Sequence, residues 1–365
     1  MKALIMIDSF KGTITSKRLG EITKEELEKK NIECDYFPIA DGGDGFLDSI
    51  EVFIKAEKVE CKCLDPFFRL IDSYYLFDKE NKTSYVELAK ASGINLVKKE
   101  ELNPFVASTY GLGELIKDAI KKGSKKIVLG VGGSATNDGG TGMLEALGVK
   151  FFDKENNLIK KISNNRMKDI SRIDISEFET LVSNVEFLVL NDVVNPLLGE
   201  KGATYIFSIQ KGAKQEDLSV LESNMKYYST KVKEALGYDE SNYPGSGAVG
   251  GCGFALRSFM KAKFIPGIKY LLNLLEENYD LNKYDLVISG EGRIDNQTLD
   301  GKVVSGITSK FDGKKKVLVC ALNELDSLED CEIYSVVPDF ATVEESMANP
   351  EKCFRKMCQN IVVEE

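Results

Sequence analysis

Thirteen residues, Gly130-Val-Gly-Gly-Ser-Ala-Thr-Asn-Asp-Gly-Gly-Thr-Gly142, constrain this chain more than any other stretch. Six of them are glycine, and most of the rest are small or hydrogen-bonding. A strand-like run, Lys126-Ile-Val-Leu-Gly130, leads in, and a helix-like run, Met143-Leu-Glu-Ala-Leu147, leads out. Glycine lacks a Cβ, so its backbone enters positive φ and approaches other groups closely. Backbone N–H groups at a helix start are anion donors. A strand, a glycine-rich turn and a helix therefore predict an α/β unit carrying a phosphate or carboxylate cradle.

The chain is long for one hydrophobic core: 365 residues suggest two domains. Its net charge of −10 argues against a nucleic-acid footprint but leaves room for a local basic pocket. No apolar run approaches the roughly 18 residues of a membrane span. The start, Met1-Lys-Ala-Leu-Ile-Met-Ile7, reads as a buried strand, too short for a signal peptide. Eight cysteines without metal-knuckle spacing point to reduced thiols and a cytoplasmic setting. There is no histidine, which removes Ser-His-Asp catalysis, His-ligated zinc and imidazole acid–base chemistry.

Along the chain, residues 2–10 read as a strand ending at Asp8, and 15–30 as a helix with Ser16 as its cap. A second strand, 34–39, leads into Asp41-Gly-Gly-Asp-Gly45, and 46–55 is helical. From Val59 short alternating segments take over. Leu70–Phe77 and Thr83–Ala89 fit an antiparallel pair across Asp78–Asn81. Leu112, Leu115, Ile116, Ala119 and Ile120 have helical spacing and stop at Gly123; 216–236 is a further helix. From Tyr284 short apolar strands at 285–289, 316–320 and 333–337 restore an α/β rhythm. The two ends of the chain thus resemble each other. They predict one flavodoxin- or Rossmann-like, doubly wound parallel domain (1–60 plus 283–365), with a mixed-sheet α/β domain (61–282) inserted and the active site in the cleft between them.

In open parallel sheets ligands bind beyond the carboxyl ends of the strands. Acids stand at several such ends: Asp8-Ser-Phe-Lys-Gly12, Asp41–Gly45, Asn191-Asp192 and Ser289-Gly-Glu-Gly-Arg-Ile-Asp295. They offer oxygen ligands for Mg²⁺ and, through Lys11, Arg293 and Lys302, cations for phosphate. Lys201-Gly-Ala and Lys211-Gly-Ala place a lysine beside a glycine, and Gly245–Gly253 is a second glycine-rich loop. These ingredients suit phosphoryl transfer. A P-loop is absent, because Gly292 to Gly301-Lys302 has the wrong spacing. Gly130–Ala135 matches GxGxxA, so a dinucleotide-binding reading stands beside the phosphoryl-transfer one, although Asn137–Gly140 interrupts the expected helix start.

The chain resembles class I glycerate kinases. The resemblance rests on Asp8–Gly12, Ala40–Gly45, Gly132–Gly140, Asp192–Leu197, Gln210–Ala213, Gly247–Gly251 and Gly290–Thr298, in order from end to end. It implies ATP- and Mg²⁺-dependent phosphorylation of D-glycerate to 2-phosphoglycerate on two dissimilar α/β domains, one flavodoxin-like and one likened to a restriction-endonuclease fold. The partner is then a small molecule, not nucleic acid or membrane, and a homo-oligomer remains open. Onto this pattern, Asp192 is the first choice for the base, with Asp8 second, and Lys11 would neutralise the transferred group. Asp295 and Glu291 would hold Mg²⁺. Ser9, Asp41, Gly132, Gly133, Ser134, Thr136, Asn137, Asp138, Gly139, Gly250 and Gly251 would cradle phosphate or glycerate, and Arg293 or Lys211 would pair with a carboxylate. Asp44, Phe46, Asn191, Val194 and Asn323-Glu324 depart from the family's commoner residues. The alternatives are 3-hydroxyl regiochemistry, an NAD(P)-dependent oxidoreductase using Gly130–Ala135, or a non-catalytic nucleotide-binding regulator.

Overall fold

The computed structural model describes residues 1–40, 42–43, 45–299, 303–325, 327–328 and 330–362, the side chains of Gln297 and Leu299 excepted. The chain divides into two compact units. Unit 1 takes 1–41, 48–54 and 266–365; unit 2 takes 42–47 and 55–265.

Unit 1 is built on a five-stranded, all-parallel sheet. Its spatial order is Cys331–Val337, Lys315–Asn323, Leu286–Ile294, Lys2–Ile7, Glu33–Tyr36. The first strand pairs with the late one, from Ala3 opposite Leu286 to Ile7 opposite Gly290, so both ends of the chain meet in one sheet. Ala3 to Ile7 are all buried, as a parallel sheet covered on both faces requires. Alternation along Lys315–Asn323 shows this: Val317 and Val319 join the cluster of Leu19, Ile22 and Phe354, whereas Leu318 and Cys320 pack with Ile294 and Val304. Helix Ser16–Glu28 turns Leu19, Ile22 and Leu27 inward. Its cap is Thr15, which accepts from Arg18 N–H. Ser16, expected as the cap, instead bonds Ile7 O and Ile39 N–H, because it faces the sheet.

Unit 2 holds a six-stranded mixed sheet in the order Lys263–Ile265, Glu186–Leu190, Lys126–Gly130, Thr83–Glu87, Leu70–Asp78, Glu57–Leu64. The first four are mutually parallel and the last two antiparallel. The expected hairpin forms, with Leu76 opposite Tyr85 and Asp78 opposite Thr83. A small antiparallel sheet places Lys150–Phe152 between Leu158–Ile159 and Arg172–Asp174. Helix Tyr110–Lys122 buries Leu112, Leu115 and Ile116 and stops at Gly123, where φ is 111°. A thirteen-residue helix is marginal alone. Three such side chains, each contributing about 1.5–3 kcal/mol on burial, are enough to hold it. No described helix is long and apolar enough to cross a membrane.

Candidate active site

Parallel register aligns the carboxyl ends of three strands in unit 2. Glu87 lies opposite Gly130, and Gly130 opposite Leu190. Glu87, the 131–140 loop and Asn191-Asp192 therefore leave the sheet at one edge. The loop starts in tight contact: a Cβ on Gly130 would stand 2.5 Å from the Phe46 ring, and one on Gly132 would stand 2.5 Å from Gly43 Cα. Gly42 and Gly43 thus lie against it, and Phe46, a departure from the family pattern, fills the space Gly130 leaves. Asp41, Asp44 and Lys302 lie outside the described residues. Glu87 is fully buried and accepts from Leu47 N–H at 3.1 Å, fixing the start of helix Phe46–Phe53.

The loop's crest is Gly132–Gly133, of which Gly132 is half-buried and Gly133, at φ 64°, exposed. Beyond it the chain turns inward, and the next helix begins only at Thr141. That leaves a ten-residue loop (131–140) where a dinucleotide fingerprint starts its helix inside the motif, so the GxGxxA match lacks the geometry that gives it meaning. Asp138 is fully buried. One oxygen accepts from Thr109 N–H (2.8 Å), Thr109 Oγ1 (2.9 Å) and Gly142 N–H (3.1 Å), and the other from Gly140 N–H (3.2 Å). Burial raises its pKa, and these hydrogen bonds oppose the rise. With both oxygens engaged, Asp138 organises the loop from inside.

The second glycine-rich stretch differs from its expected loop form. Residues 248–260 are helical apart from Val249, Gly250 and Gly251, which sit at positive φ. Gly250 O accepts from Gly139 N–H at 2.9 Å. A Cβ on Gly250 would stand 2.0 Å from Thr136 O, and one on Gly251 would stand 3.0 Å from Gly139 Cα. Gly250 and Gly251 therefore let two backbones touch, which a side chain would prevent, while the missing Cβ of Gly139 leaves room for the Tyr228 ring.

Lys211 ends the short turn Ile209–Lys211, and Gly212 (φ 96°) follows it. Its side chain is only 3% exposed, and Nζ donates to Ser134 Oγ at 2.8 Å and Thr136 O at 2.7 Å. Burial lowers its pKa to about 7, against the opposing pull of Asp138 and Cys252. Beside it, Thr136 Oγ1 and Asn137 Oδ1 are buried without a hydrogen-bond partner among the described residues. Asn137 O accepts from Asn164, which also bonds Leu221 O and receives Asn224 Nδ2. Asn191 closes a turn by bonding Val193 through both its side-chain atoms, placing Asp192 half-buried just past the strand. Val194 is 75% exposed.

Unit 1 has its own carboxyl edge. Asp8 donates its N–H to Gly290 O at 2.8 Å and accepts Ser9 N–H on Oδ1 at 2.7 Å. Phe10 and Ile14 exchange two backbone hydrogen bonds, closing a turn that carries exposed Lys11 and Gly12 at φ 79°. Gly290 lets Val319 O approach to 1.9 Å from where a Cβ would sit. Arg293, expected to meet a substrate carboxylate, pairs with Glu324 and lies 3.7 Å from Asp295. Among the described residues no three Asp, Glu or Cys side chains converge as a metal cage. Mg²⁺ needs only one or two carboxylates when phosphate and water supply the rest, and Glu291 and Asp295 are oxygen donors of that kind.

Glu87, Thr109 and Asn164 in unit 2 and Glu324 in unit 1 take part in these arrangements without having been singled out in the sequence. Glu87 carries the signal used elsewhere, an acid at a strand's carboxyl end. Asn164 carries none, lying in a polar, poorly patterned stretch.

A family model described as the glycerate kinase family matches residues 3–364. A glycerate kinase of Halalkalibacterium halodurans is 33% identical over 99% of this chain and 97% of its own. A glycerate 2-kinase of Escherichia coli is 34% identical over 85% of this chain and 81% of its own. Among solved structures, a Salmonella typhimurium LT2 protein proposed to be a glycerate kinase 2 superposes with a TM-score of 0.79 at 30% identity, covering 99% of this chain and 96% of that one.

Proposed function

Because the chain belongs to the glycerate kinase family, we propose that it transfers the γ-phosphoryl group of ATP to the C2 hydroxyl of D-glycerate, giving 2-phosphoglycerate and ADP. The observation that carries the choice of hydroxyl is the similarity to a relative named glycerate 2-kinase. The two carboxyl edges supply groups of the right chemistry.

The C2 oxygen attacks the γ-phosphorus in line, the bond to the ADP oxygen breaks, and the hydroxyl proton passes to a carboxylate. Asp192 is the first choice for that base and Asp8 the second, since each follows the end of a strand and a base must reach the proton it takes. Lys11, exposed on its closed turn, neutralises charge on the phosphoryl oxygens. The Gly132–Ser134 crest receives a carboxylate or phosphate through its backbone and the Ser134 hydroxyl. Glu291 and Asp295 would hold Mg²⁺, which screens phosphate charge when bound. A cytoplasmic location fits the eight thiols, all unbridged.

The test is a coupled assay with Mg-ATP, D-glycerate and enolase, without phosphoglycerate mutase, following phosphoenolpyruvate. Enolase accepts only the 2-phosphate, so a signal supports the proposal. A signal that appears only after mutase is added assigns the 3-hydroxyl instead, and silence in both arms rejects the kinase reading.

A further inference from the structure

Lys211 has no evident reason to be buried. It is a fully charged residue type held behind a glycine-rich loop, out of reach of solvent. The carboxylate nearest in charge, Asp138, spends both oxygens on Thr109, Gly140 and Gly142. The ammonium instead donates to Ser134 Oγ and Thr136 O. A hydroxyl that accepts a hydrogen bond from an ammonium keeps its own proton free to donate. No described residue takes that proton. Ser134 is 6% exposed and follows the exposed Gly133. A second feature of the same loop points the same way: Thr136 Oγ1, fully buried, also lacks a partner.

We propose that Lys211 is a positioning residue that polarises Ser134 from behind, so that the Ser134 hydroxyl donates to an anionic oxygen resting on the Gly132–Ser134 crest. The identity of that anion rests on the kinase reading: it is the carboxylate of the hydroxy acid or a phosphate of the nucleotide. A charge-assisted donor of this kind is stronger than a neutral serine. The lysine gives the loop positive character while remaining shielded from direct ion pairing, and therefore from competition by solvent salt.

The arrangement has a thermodynamic signature. The titratable groups facing Lys211 are Asp138 and Cys252, with Tyr228 facing the same two. Burial pushes the Cys252 thiol and the Tyr228 hydroxyl well above their ordinary values, so both stay neutral. Burial also raises Asp138. Burial lowers Lys211 to about 7. An anion arriving at Ser134 favours its charged form, so binding above pH 7 takes up a proton.

The experiment is isothermal titration calorimetry of the full chain at pH 8 in buffers of differing ionisation enthalpy. The titrants are D-glycerate, ADP and inorganic phosphate, each alone. Wild type is expected to take up a fraction of a proton. Uptake with D-glycerate alone assigns a carboxylate, and uptake with ADP or phosphate assigns a phosphate. In Lys211→Met the uptake disappears and affinity for the assigned ligand falls by about tenfold or more, the loss of one charge-assisted hydrogen bond. Should that variant fail to fold, Ser134→Ala serves: it weakens binding similarly, and Ser134→Thr, which keeps the hydroxyl, restores it. Binding without uptake in wild type, or uptake preserved in Lys211→Met, overturns the proposal. If neither D-glycerate nor ADP binds, the kinase reading fails while the phosphate arm still decides the relay. Absence of uptake with all three anions overturns it.

Discussion

Asp138 and Thr109 form a two-pronged link across 29 residues: one carboxylate oxygen accepts both the backbone N–H and the hydroxyl of Thr109, at 2.8 and 2.9 Å. Thr109 is the residue before helix Tyr110–Lys122, and its hydroxyl also accepts Met143 N–H at 2.9 Å. The glycine-rich loop, the start of the long helix and the helix after the loop are thereby tied to one carboxylate. Replacing Asp138 with Ala leaves buried donors unanswered, at about 1–3 kcal/mol for each one left bare. Asp138→Ala is expected to lower the thermal midpoint sharply or prevent folding, and Asp138→Asn, which keeps an acceptor oxygen, to cost markedly less. Equal midpoints for the two variants in a melting experiment would show that the acceptor oxygens do not matter.

Two glycines with positive φ separate backbone strain from close packing. Gly237 (φ 82°) ends helix Leu218–Leu236 with nothing within 4 Å of a hypothetical Cβ, whereas on Gly250 (φ 63°) that atom would stand 2.0 Å from Thr136 O. Gly237→Ala is expected to cost about 1 kcal/mol, the strain of a left-handed alanine. Gly250→Ala must also push apart two buried backbones, and it should cost several-fold more and raise KM. Comparing denaturant midpoints and KM for the pair checks this. Comparable losses would mean that the close approach yields easily.

Asp192→Asn removes the proposed proton acceptor while keeping the side chain's shape. The expected result is a fall in kcat of about 10²–10⁴ with KM changed little, the usual contribution of a general base. Asp8→Asn run in parallel identifies the second choice. Near-normal turnover in Asp192→Asn would transfer the role to Asp8.

Lys211 also fixes a direction for stability against pH. Its ordinary value is 10.5 and burial lowers it to about 7 in the folded chain. Between those two values the unfolded chain binds the proton and the folded chain has released it, so stability rises with pH across that window. Below about pH 7 both states are protonated, and the penalty of the buried charge is present in full and constant. The slope from one proton is about 1.4 kcal/mol per pH unit at most. Lys211→Met lacks it. The difference in stability, variant minus wild type, should therefore be greatest near pH 6 and shrink toward pH 9, as measured by denaturant unfolding at each pH. A difference that stays flat would place the lysine's folded-state pKa outside this range.

Much of the architecture was legible because it rests on period and composition. Ala3–Ile7 and Leu286–Ile288 are continuously apolar, and that alone suits central strands of a parallel sheet. Leu70–Asp78 and Thr83–Glu87 pair antiparallel, as the short connection between them suggests. Less legible was the helix 248–260. Its glycines read as a loop, and where Gly250 and Gly251 pack against the Thr136–Gly139 backbone the helix is indeed broken at positive φ, while the residues after them are helical. The Ser16 and Thr15 caps differ by a single residue, and which hydroxyl turns toward the helix depended on Ile7 O and Ile39 N–H, both distant in sequence from a local cap.

Two tripeptides show where the division lies. Lys201-Gly202-Ala203 and Lys211-Gly212-Ala213 are the same three residues, yet Lys201 is exposed and Lys211 is buried with its ammonium on Ser134 and Thr136. By itself the sequence determined the α/β class, the strand ends that carry acids, the glycine-rich loop and the family, because these reside in local pattern and in motifs kept in order. Tertiary structure alone decided which lysine faces solvent, which aspartate is buried inside the loop and which glycines are packing surfaces. Burial depends on what the rest of the chain lays over a residue, and no window of neighbouring residues contains that information.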